Sequence, residues 1–495
     1  MNIKTELLQI TSEQLQALSP FLATLLGSLV VILLTTIHSS VMRWWSYAAA
    51  LITMLLGIFF SYEFLDVAAP LVLFNNMLVL DKFSYFFSML FCITGLITIM
   101  ISDIYLDSED MQHPEFNVLV IFSVLGMQLL VASADLVVLF IALEIMSLAV
   151  YSLVAFRRND RLSNEAGLKY FILGGAASAV FLYGVALTYG VTGTTRLSDL
   201  LKVATQTGEL PTLFTVGSWL MVAGFLFKMA SVPFHMWMPD VYEGAPAPVT
   251  GFMTTGLKAA VFATFLRLIT QLGFGKPEFT VFQGQIYHLI WISAVLTMAV
   301  GNLVALSQNN LKRIFAYSSI AHTGYLLVGI IAALKSKEVM GSVVLYLISY
   351  IVMNLGAFGI LTMLSKRGDT GLNIHDISGL AQKRPLLAAV LSVFLFSMAG
   401  IPPTAGFIAK YSLFYAAVQN GEVSLVIISV LCSAISVYYY LRIIVYMYMR
   451  NPAGDFVGGR LPWGALVAVG AAVLVTLQMG LLPDFVVQSA SKVFI

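Results

Sequence analysis

About fourteen stretches of this chain are apolar for long enough to cross roughly 30 Å of hydrocarbon as helix. They lie near 20–38, 44–63, 84–102, 116–133, 135–155, 166–190, 212–231, 248–271, 286–306, 312–333, 340–364, 386–416, 423–448 and 463–483. Runs of this length read as membrane-crossing helices. Short loops join most neighbours, so an antiparallel bundle is expected, without a separate soluble domain. Composition agrees: 59% of the 495 residues are hydrophobic and 10% charged, too few to cover a water-facing surface. A formal net charge of +1 removes nucleic-acid binding from consideration, because that requires a concentrated basic face. The two cysteines, Cys92 and Cys432, sit inside apolar runs and read as small buried hydrophobes, not as a disulfide, zinc or iron–sulfur framework. Lys4, Glu6 and Glu13 precede the first run and no small-residue cleavage pattern follows it, so a cleaved signal peptide is not expected.

Lys and Arg resist translocation, so their distribution among loops predicts orientation. With the N-terminus outside, the cytoplasmic loops hold Arg43, Arg157, Arg158, Arg161, Lys312, Arg313, Lys366, Arg367, Lys383, Arg384, Arg450 and Arg460. The other side holds Lys4, Lys82, Arg196, Lys202, Lys276, Lys335, Lys337 and Lys492. Both termini are therefore expected in the periplasm, with the acidic loop near 103–115 on the cytoplasmic side.

One internal repeat is legible. Phe225-Leu226-Phe227-Lys228-Met229-Ala230-Ser231-Val232-Pro233 recurs as Phe394-Leu395-Phe396-Ser397-Met398-Ala399-Gly400-Ile401-Pro402. The copies fall in the seventh and twelfth runs, and an odd separation makes them cross the membrane in opposite directions. Each ends on a proline that removes a backbone donor and breaks the helix. Discontinuous helices at matched positions of two inverted halves point to an ion pathway. The expected fold is thus an all-α polytopic membrane protein with inverted five-helix repeats over helices 4–8 and 9–13. Helices 7 and 12 are discontinuous. The whole chain, 1–495, forms one integral membrane domain: helices 1–3 over 1–115, the first repeat over 116–271, the second over 286–448 and a last helix in 449–495.

Six basic residues fall within predicted helices. Lys169, Arg267 and Arg442 lie within about two turns of a helix end and can snorkel to the interface. Lys228, Lys258 and Lys410 cannot, nor can Glu144 in the fifth helix, and His322 is similarly central in the tenth. A charge at the bilayer centre costs about 2.5–3.5 kcal/mol, so four cost on the order of 10 kcal/mol, comparable to a whole domain's stability. One buried ion pair could be structural, but a glutamate and three lysines spread over four helices exceed that role. Burial disfavours the charged form of an amine, so these lysines read as proton carriers. After the first break, Ser231, Pro233, Phe234, His235, Trp237, Pro239, Asp240, Tyr242, Glu243, Pro246 and Pro248 preclude one continuous helix, and irregular backbone at such a place must line protein or water. His235 either passes protons toward the loop or is satisfied by freed carbonyls. Asp240 and Glu243 read as solvated loop residues.

Taken as a unit, Lys228-Met-Ala-Ser-Val-Pro-Phe-His-Met-Trp-Met-Pro-Asp-Val-Tyr-Glu-Gly-Ala-Pro-Ala-Pro-Val249 resembles the antiporter-like membrane subunits of respiratory NADH:quinone oxidoreductase, complex I. Within them it is most similar to the bacterial subunit N family, the counterpart of mitochondrial subunit 2. Asn302–Tyr325 (NLVALSQNNLKRIFAYSSIAHTGY), Gly400–Lys410 (GIPPTAGFIAK) and Ser436–Arg442 (SVYYYLR) extend the resemblance over nearly the whole chain. It implies that Glu144 and Lys228 form a coupling pair, that Lys258 continues a buried axis, and that Lys410 serves an exit half-channel, with His322 and His235 available as relays. It implies a proton-pumping translocase subunit of the bacterial inner membrane that does no redox chemistry and holds no cofactor itself. NADH, FMN, iron–sulfur clusters and quinone would reside in partner subunits, and the chain's own partners would be other membrane-arm subunits, the lipid bilayer and protons. Two other readings stand beside this one: a subunit of a multisubunit cation/proton antiporter, and a scaffold whose charges do not pump.

Overall fold

A computed structural model describes residues 11–37, 40–67, 69–111, 113–204, 210–271, 280–452 and 463–493. Lys4, Glu6, Lys276 and Arg460 lie outside the described residues, as does the side chain of Lys492. Helix occupies every predicted apolar run. The principal helices are α1 (Ser19–Thr35), α2 (Ser40–Glu63), α3 (Lys82–Ser108), α4 (Glu115–Ala132), α5 (Leu136–Val154), α6 (Arg161–Thr192), α7 (Thr212–Lys228), α8 (Trp237–Gly244), α9 (Ala247–Phe252), α10 (Lys258–Gln271), α11 (Thr280–Ala305), α12 (Leu311–Ala333), α13 (Met340–Leu364), α14 (Pro385–Ala399), α15 (Ala405–Gln419), α16 (Val423–Met449) and α17 (Trp463–Leu481). Among the described residues, eleven helical segments are long and apolar enough to span a membrane, one of them running from α9 into α10. The shorter apolar helices are α1, α7 and α14. Two of these, α7 and α14, are the leading halves of the runs expected to be broken.

Polar residues at the helix ends set where the spans begin. The Asp135 carboxylate accepts from the backbone N–H of Val137 (2.8 Å) and Val138 (3.3 Å) at the start of α5. Asn310 does the same for Lys312 (2.9 Å) and Arg313 (3.3 Å) in α12. Each satisfies first-turn donors that lack an intrahelical partner. Burial ranks the helices by depth. The most apolar stretch of the α9–α10 span is 100% buried, that of α12 94% and that of α13 89%, whereas α2, α6 and α17 are 33% buried. The first set forms the interior, and the second presents apolar faces outward.

Three local features position the site. The α9–α10 span is interrupted by a π-turn at Met253–Leu257, and Lys258 is the first residue after it. Between α7 and α8 the chain is non-helical, and Ala230 adopts φ +56°. Between α14 and α15 the break contains Gly400 at φ +82°, a conformation that favours glycine. Close packing defines this second break further, since a Cβ on Gly406 would lie 1.8 Å from the Ser397 carbonyl oxygen.

The short hairpin Leu71–Leu73 with Leu78–Leu80 was not anticipated. Phe74, Asn75 and Asn76, all at positive φ, turn it, and it braces the start of α5 through the Ala134 N–H donating to Met77 O at 2.9 Å. Asp240 and Glu243 also depart from expectation. They sit on α8 and, though partly exposed, are bound: Asp240 accepts from Lys169 and from Arg313 (3.0 Å), and Glu243 from Arg313 (2.8 Å) and Asn310 (3.1 Å). The three basic residues expected to snorkel find protein partners as well. Lys169 pairs with Asp240, Arg267 with Asp81 at 2.5 Å, and Arg442 donates to the carbonyls of Leu306 (3.0 Å) and Gln308. Arg267, 5% exposed, takes protein partners in place of water, whereas Lys169, 37% exposed, reaches solvent as well.

Candidate functional site

The first break is held open by side chains, as irregular backbone at membrane depth requires. The Val232 N–H donates to Thr297 (2.9 Å), Ser293 donates to Val232 O (2.8 Å), and Trp237 Nε1 donates to Phe227 O (3.2 Å). Lys228 ends α7 immediately before this break and is 8% exposed. Its Nζ donates to Ser147 Oγ at 2.9 Å and to the Tyr151 hydroxyl at 3.1 Å, both on α5. Glu144, on the same helix one turn before Ser147, instead accepts from Ser178 Oγ of α6 at 2.5 Å. Glu144 and Lys228 are thus neighbours through α5, each with its own hydroxyl partner and no direct ion pair between them.

Lys258 is 3% exposed. Its Nζ donates to Ser319 O (2.7 Å), Ser319 Oγ (2.5 Å) and Thr323 Oγ1 (2.8 Å) of α12. Ser319 also accepts from Tyr350 of α13 at 2.7 Å, and Thr323 donates to Met229 O at 2.9 Å, which ties this lysine's shell to the break beside Lys228. His322, 2% exposed, lies between Ser319 and Thr323 in sequence. Its ring nitrogens meet the hydroxyls of Tyr346 (2.6 Å) and Tyr440 (3.4 Å), and Tyr440 also bonds Ser318.

Lys410 is 6% exposed and sits against the second break. Its Nζ donates to Met398 O (3.0 Å), Ala399 O (3.1 Å) and Ser433 Oγ (2.9 Å), and it lies 5.2 Å from the centre of the Tyr325 ring. Those carbonyls close α14, so the ammonium meets the negative end of a half-helix. Gly400 permits the approach, since a Cβ there would lie 2.9 Å from Lys410 Cδ.

Sequence reading set Glu144, Lys228, Lys258, His322 and Lys410 within apolar runs; the structure buries the three lysines and His322 and leaves Glu144 half-buried. The structure sets Lys258 against Ser319 and Thr323, the α12 residues on either side of His322 in sequence, and leaves His235 apart. His235 is half-buried beside exposed Phe234 and Met236, and its Nδ1 has no protein partner. The hydroxyl partners were not anticipated; the one sequence signal for them is the Ser319/Thr323 spacing of four, which puts both on one face of α12. Among the described residues no group of three or more His, Cys, Asp or Glu side chains is placed to hold a metal ion.

A second ionic cluster was missed. Arg157 (4% exposed), Lys312 (1%) and Asp369 meet where the chain turns from α8 into α9. Asp369 accepts from Lys312 at 2.9 Å and lies 3.5 Å from Arg157. Arg157 also donates to Gly244 O (3.1 Å) and Lys312 to Ala245 O (2.6 Å).

Residues 133–436, which contain both breaks and every one of these lysines, match the family described as NADH:quinone oxidoreductase/Mrp antiporter, transmembrane. Subunit N of the NADH-quinone oxidoreductase of Trichlorobacter lovleyi is 45% identical over 85% of each chain. Subunit N 1 of Solibacter usitatus is 38% identical over 97% of each. Among solved structures, a chain of respiratory complex I from Thermus thermophilus with bound aureothin is 32% identical, with a TM-score of 0.79 over 95% of this chain and 98% of that one. A chain of the Mrp complex from a Dietzia species shares the fold, at a TM-score of 0.80 and 21% identity over 97% of each chain. Sharing sequence with subunit N proteins along nearly its whole length, and the fold of the wider antiporter-like group, the chain belongs to the subunit N family of NADH-quinone oxidoreductases.

Proposed function

We propose that this chain carries protons through the membrane arm of a redox-driven NADH:quinone oxidoreductase, along Glu144, Lys228, Lys258, His322 and Lys410. One observation supports this above the others. Three lysines, each nearly or fully enclosed, are held at membrane depth by hydroxyls and carbonyls instead of carboxylates. A lysine without a fixed counter-ion is left freer to lose its proton, because each shell includes a hydroxyl, a group that can donate to a neutral amine as well as accept from an ammonium. The coupling step is then a change of partner. Ser147 lies one helical turn, about 5 Å, beyond Glu144, so a side-chain swing carries the Lys228 ammonium from Ser147 toward the carboxylate. Two unit charges brought to about 4 Å attract by about 4 kcal/mol at an effective dielectric of 20, on the order of a thousandfold in proton affinity. Withdrawing Glu144 releases the proton toward Lys258, whose shell already touches the break through Thr323, and thence through the His322 and Tyr440 side chains to Lys410. His235 serves as an inlet at the break.

In this reading the chain is one integral membrane domain in a bacterial inner membrane, built from inverted repeats over 116–271 and 286–448. Both termini face the periplasm, and neighbouring membrane-arm subunits cover its apolar sides. NADH, FMN, iron–sulfur clusters and quinone are handled by partner subunits. Identities of 38–45% to oxidoreductase subunits favour redox drive over cation exchange. The test is proton pumping in sealed membrane vesicles carrying Lys228→Ala or Lys410→Ala. Each should lower pumping at least tenfold at equal amounts of assembled complex. Normal proton-to-electron stoichiometry in both would overturn the assignment.

A further inference from the structure

Glu422 is a charged residue that the axis described so far does not use. It lies between α15 and α16 and is 2% exposed. Its carboxylate pairs with Lys335 and accepts from the Tyr287 hydroxyl, with both oxygens 2.9 Å away. Lys335 donates also to Asn420 O at 3.3 Å and lies 5.4 Å from the Tyr287 ring centre. The Lys335 side chain is 43% exposed, so the buried carboxylate touches a group that reaches solvent at this membrane face.

Helical geometry connects this carboxylate to the axis. Positions 422, 429, 433, 436 and 440 fall within about 60° of one another around a helix of 3.6 residues per turn, and they carry Glu422, Ser429, Ser433, Ser436 and Tyr440. Two members of the stripe are already engaged: Ser433 accepts from Lys410, and Tyr440 meets His322. Ser429 and Ser436 are buried. From Ser433 to Glu422 the helix rises about 16 Å, about half the hydrocarbon thickness, with Ser429 between them.

We propose that Glu422 is the exit carboxylate of the pathway, the group that receives the proton from Lys410 by way of the α16 hydroxyl stripe and delivers it to water beside Lys335. In this step the Lys410 ammonium becomes an amine and the Glu422 carboxylate a carboxylic acid. The acid's proton then passes to bulk water, which restores the ion pair with Lys335. The inference rests on the function proposed above.

Three substitutions test it, scored as NADH-driven proton pumping in sealed vesicles at equal amounts of assembled complex. Glutamine at position 422 keeps the side-chain length and the hydrogen bond from Tyr287 but accepts no proton, whereas aspartate keeps the carboxylate and shortens its reach. A relay predicts that Glu422→Gln pumps at least fivefold more slowly and that Glu422→Asp retains at least half the rate. A purely structural tie predicts the reverse order, and that order overturns the proposal. Should Glu422→Gln fail to assemble, Ser433→Ala, which removes the hydroxyl next to Lys410, serves instead. It should slow pumping at least threefold, and an unchanged rate overturns the proposal. Lys410→Ala run alongside separates the two levels. If it pumps normally the axis itself is wrong, whereas a silent Lys410→Ala beside a normal Glu422→Gln removes only the exit.

Discussion

At the scale of single residues, the lysines are held by groups that any helix supplies in abundance. Ser319 illustrates the dependence, because its hydroxyl accepts from both Lys258 and Tyr350. Ser319→Ala leaves two buried donors short of an acceptor, at about 1–3 kcal/mol for such a loss. It should lower both the thermal midpoint of the purified complex and its pumping rate several-fold; retention of both would show that the Ser319 carbonyl and Thr323 suffice. Gly400 carries a different constraint. Alanine there combines a left-handed backbone, which costs a non-glycine residue on the order of 1–3 kcal/mol, with a contact 2.9 Å from Lys410. Gly400→Ala should therefore displace Lys410 and depress pumping more than it depresses assembly, measured on the same membranes. The lysines themselves were legible in the sequence, because charge in an apolar run is conspicuous. Their partners were not, because serine, threonine and tyrosine occur throughout these helices and only packing selects which of them faces an ammonium.

At the scale of elements, the turn from α8 to α9 is fixed by two cations that share one carboxylate. Arg157, Lys312 and Asp369 are all nearly enclosed, and the cations also take successive carbonyls at the end of α8. Removing one partner of a buried ionic group is far more damaging than its net contribution suggests, commonly 3–5 kcal/mol. Asp369→Asn should therefore lower the yield of assembled complex and its thermal midpoint sharply, while Asp110→Asn, in an exposed pair with Arg367, should change neither measurably. Read along the chain, Arg157 and Lys312 served only to predict orientation, because loop charge is informative before folding and its tertiary partners are not. The short hairpin escaped notice for a related reason. Strands of three residues are too brief for an alternating pattern to emerge from an apolar background.

At the scale of the whole molecule, the order of helices and the two breaks followed from hydropathy and proline, since a membrane leaves the backbone few alternatives. What joins distant parts of the chain did not. Asp240 of α8 bridges Lys169 of α6 and Arg313 of α12. Burial acts to raise its pKa, but hydrogen bonds from Lys169 and Arg313 prevail and hold it below the ordinary 3.8. An acid with a depressed pKa contributes its stability above that ordinary value and loses it as the pH falls through the lower one. The clasp should therefore be intact from neutral pH to about 4 and weaken below. Thermal midpoints of the purified complex should fall faster below pH 4 in the parent than in Asp240→Asn, which lacks the clasp at every pH. Parallel curves would exclude Asp240 as a contributor.

The π-turn at Met253–Leu257 has a consequence for how this span tolerates change. A turn of this kind holds one residue more than an α-turn, and one residue rotates a helix by about 100°. The direction in which Lys258 points relative to α9 is thus a matter of counting as well as of chemistry. Straightening the π-turn into regular α-helix with every residue kept would rotate Lys258 by about one residue's step, away from Ser319 and Thr323, without altering a single charged side chain, whereas losing one residue as it straightens would hold Lys258 in place. For this stretch of chain, residue count and backbone form together set where the lysine points, so an insertion elsewhere in the span, which no turn absorbs, should misdirect it where conservative substitutions pass.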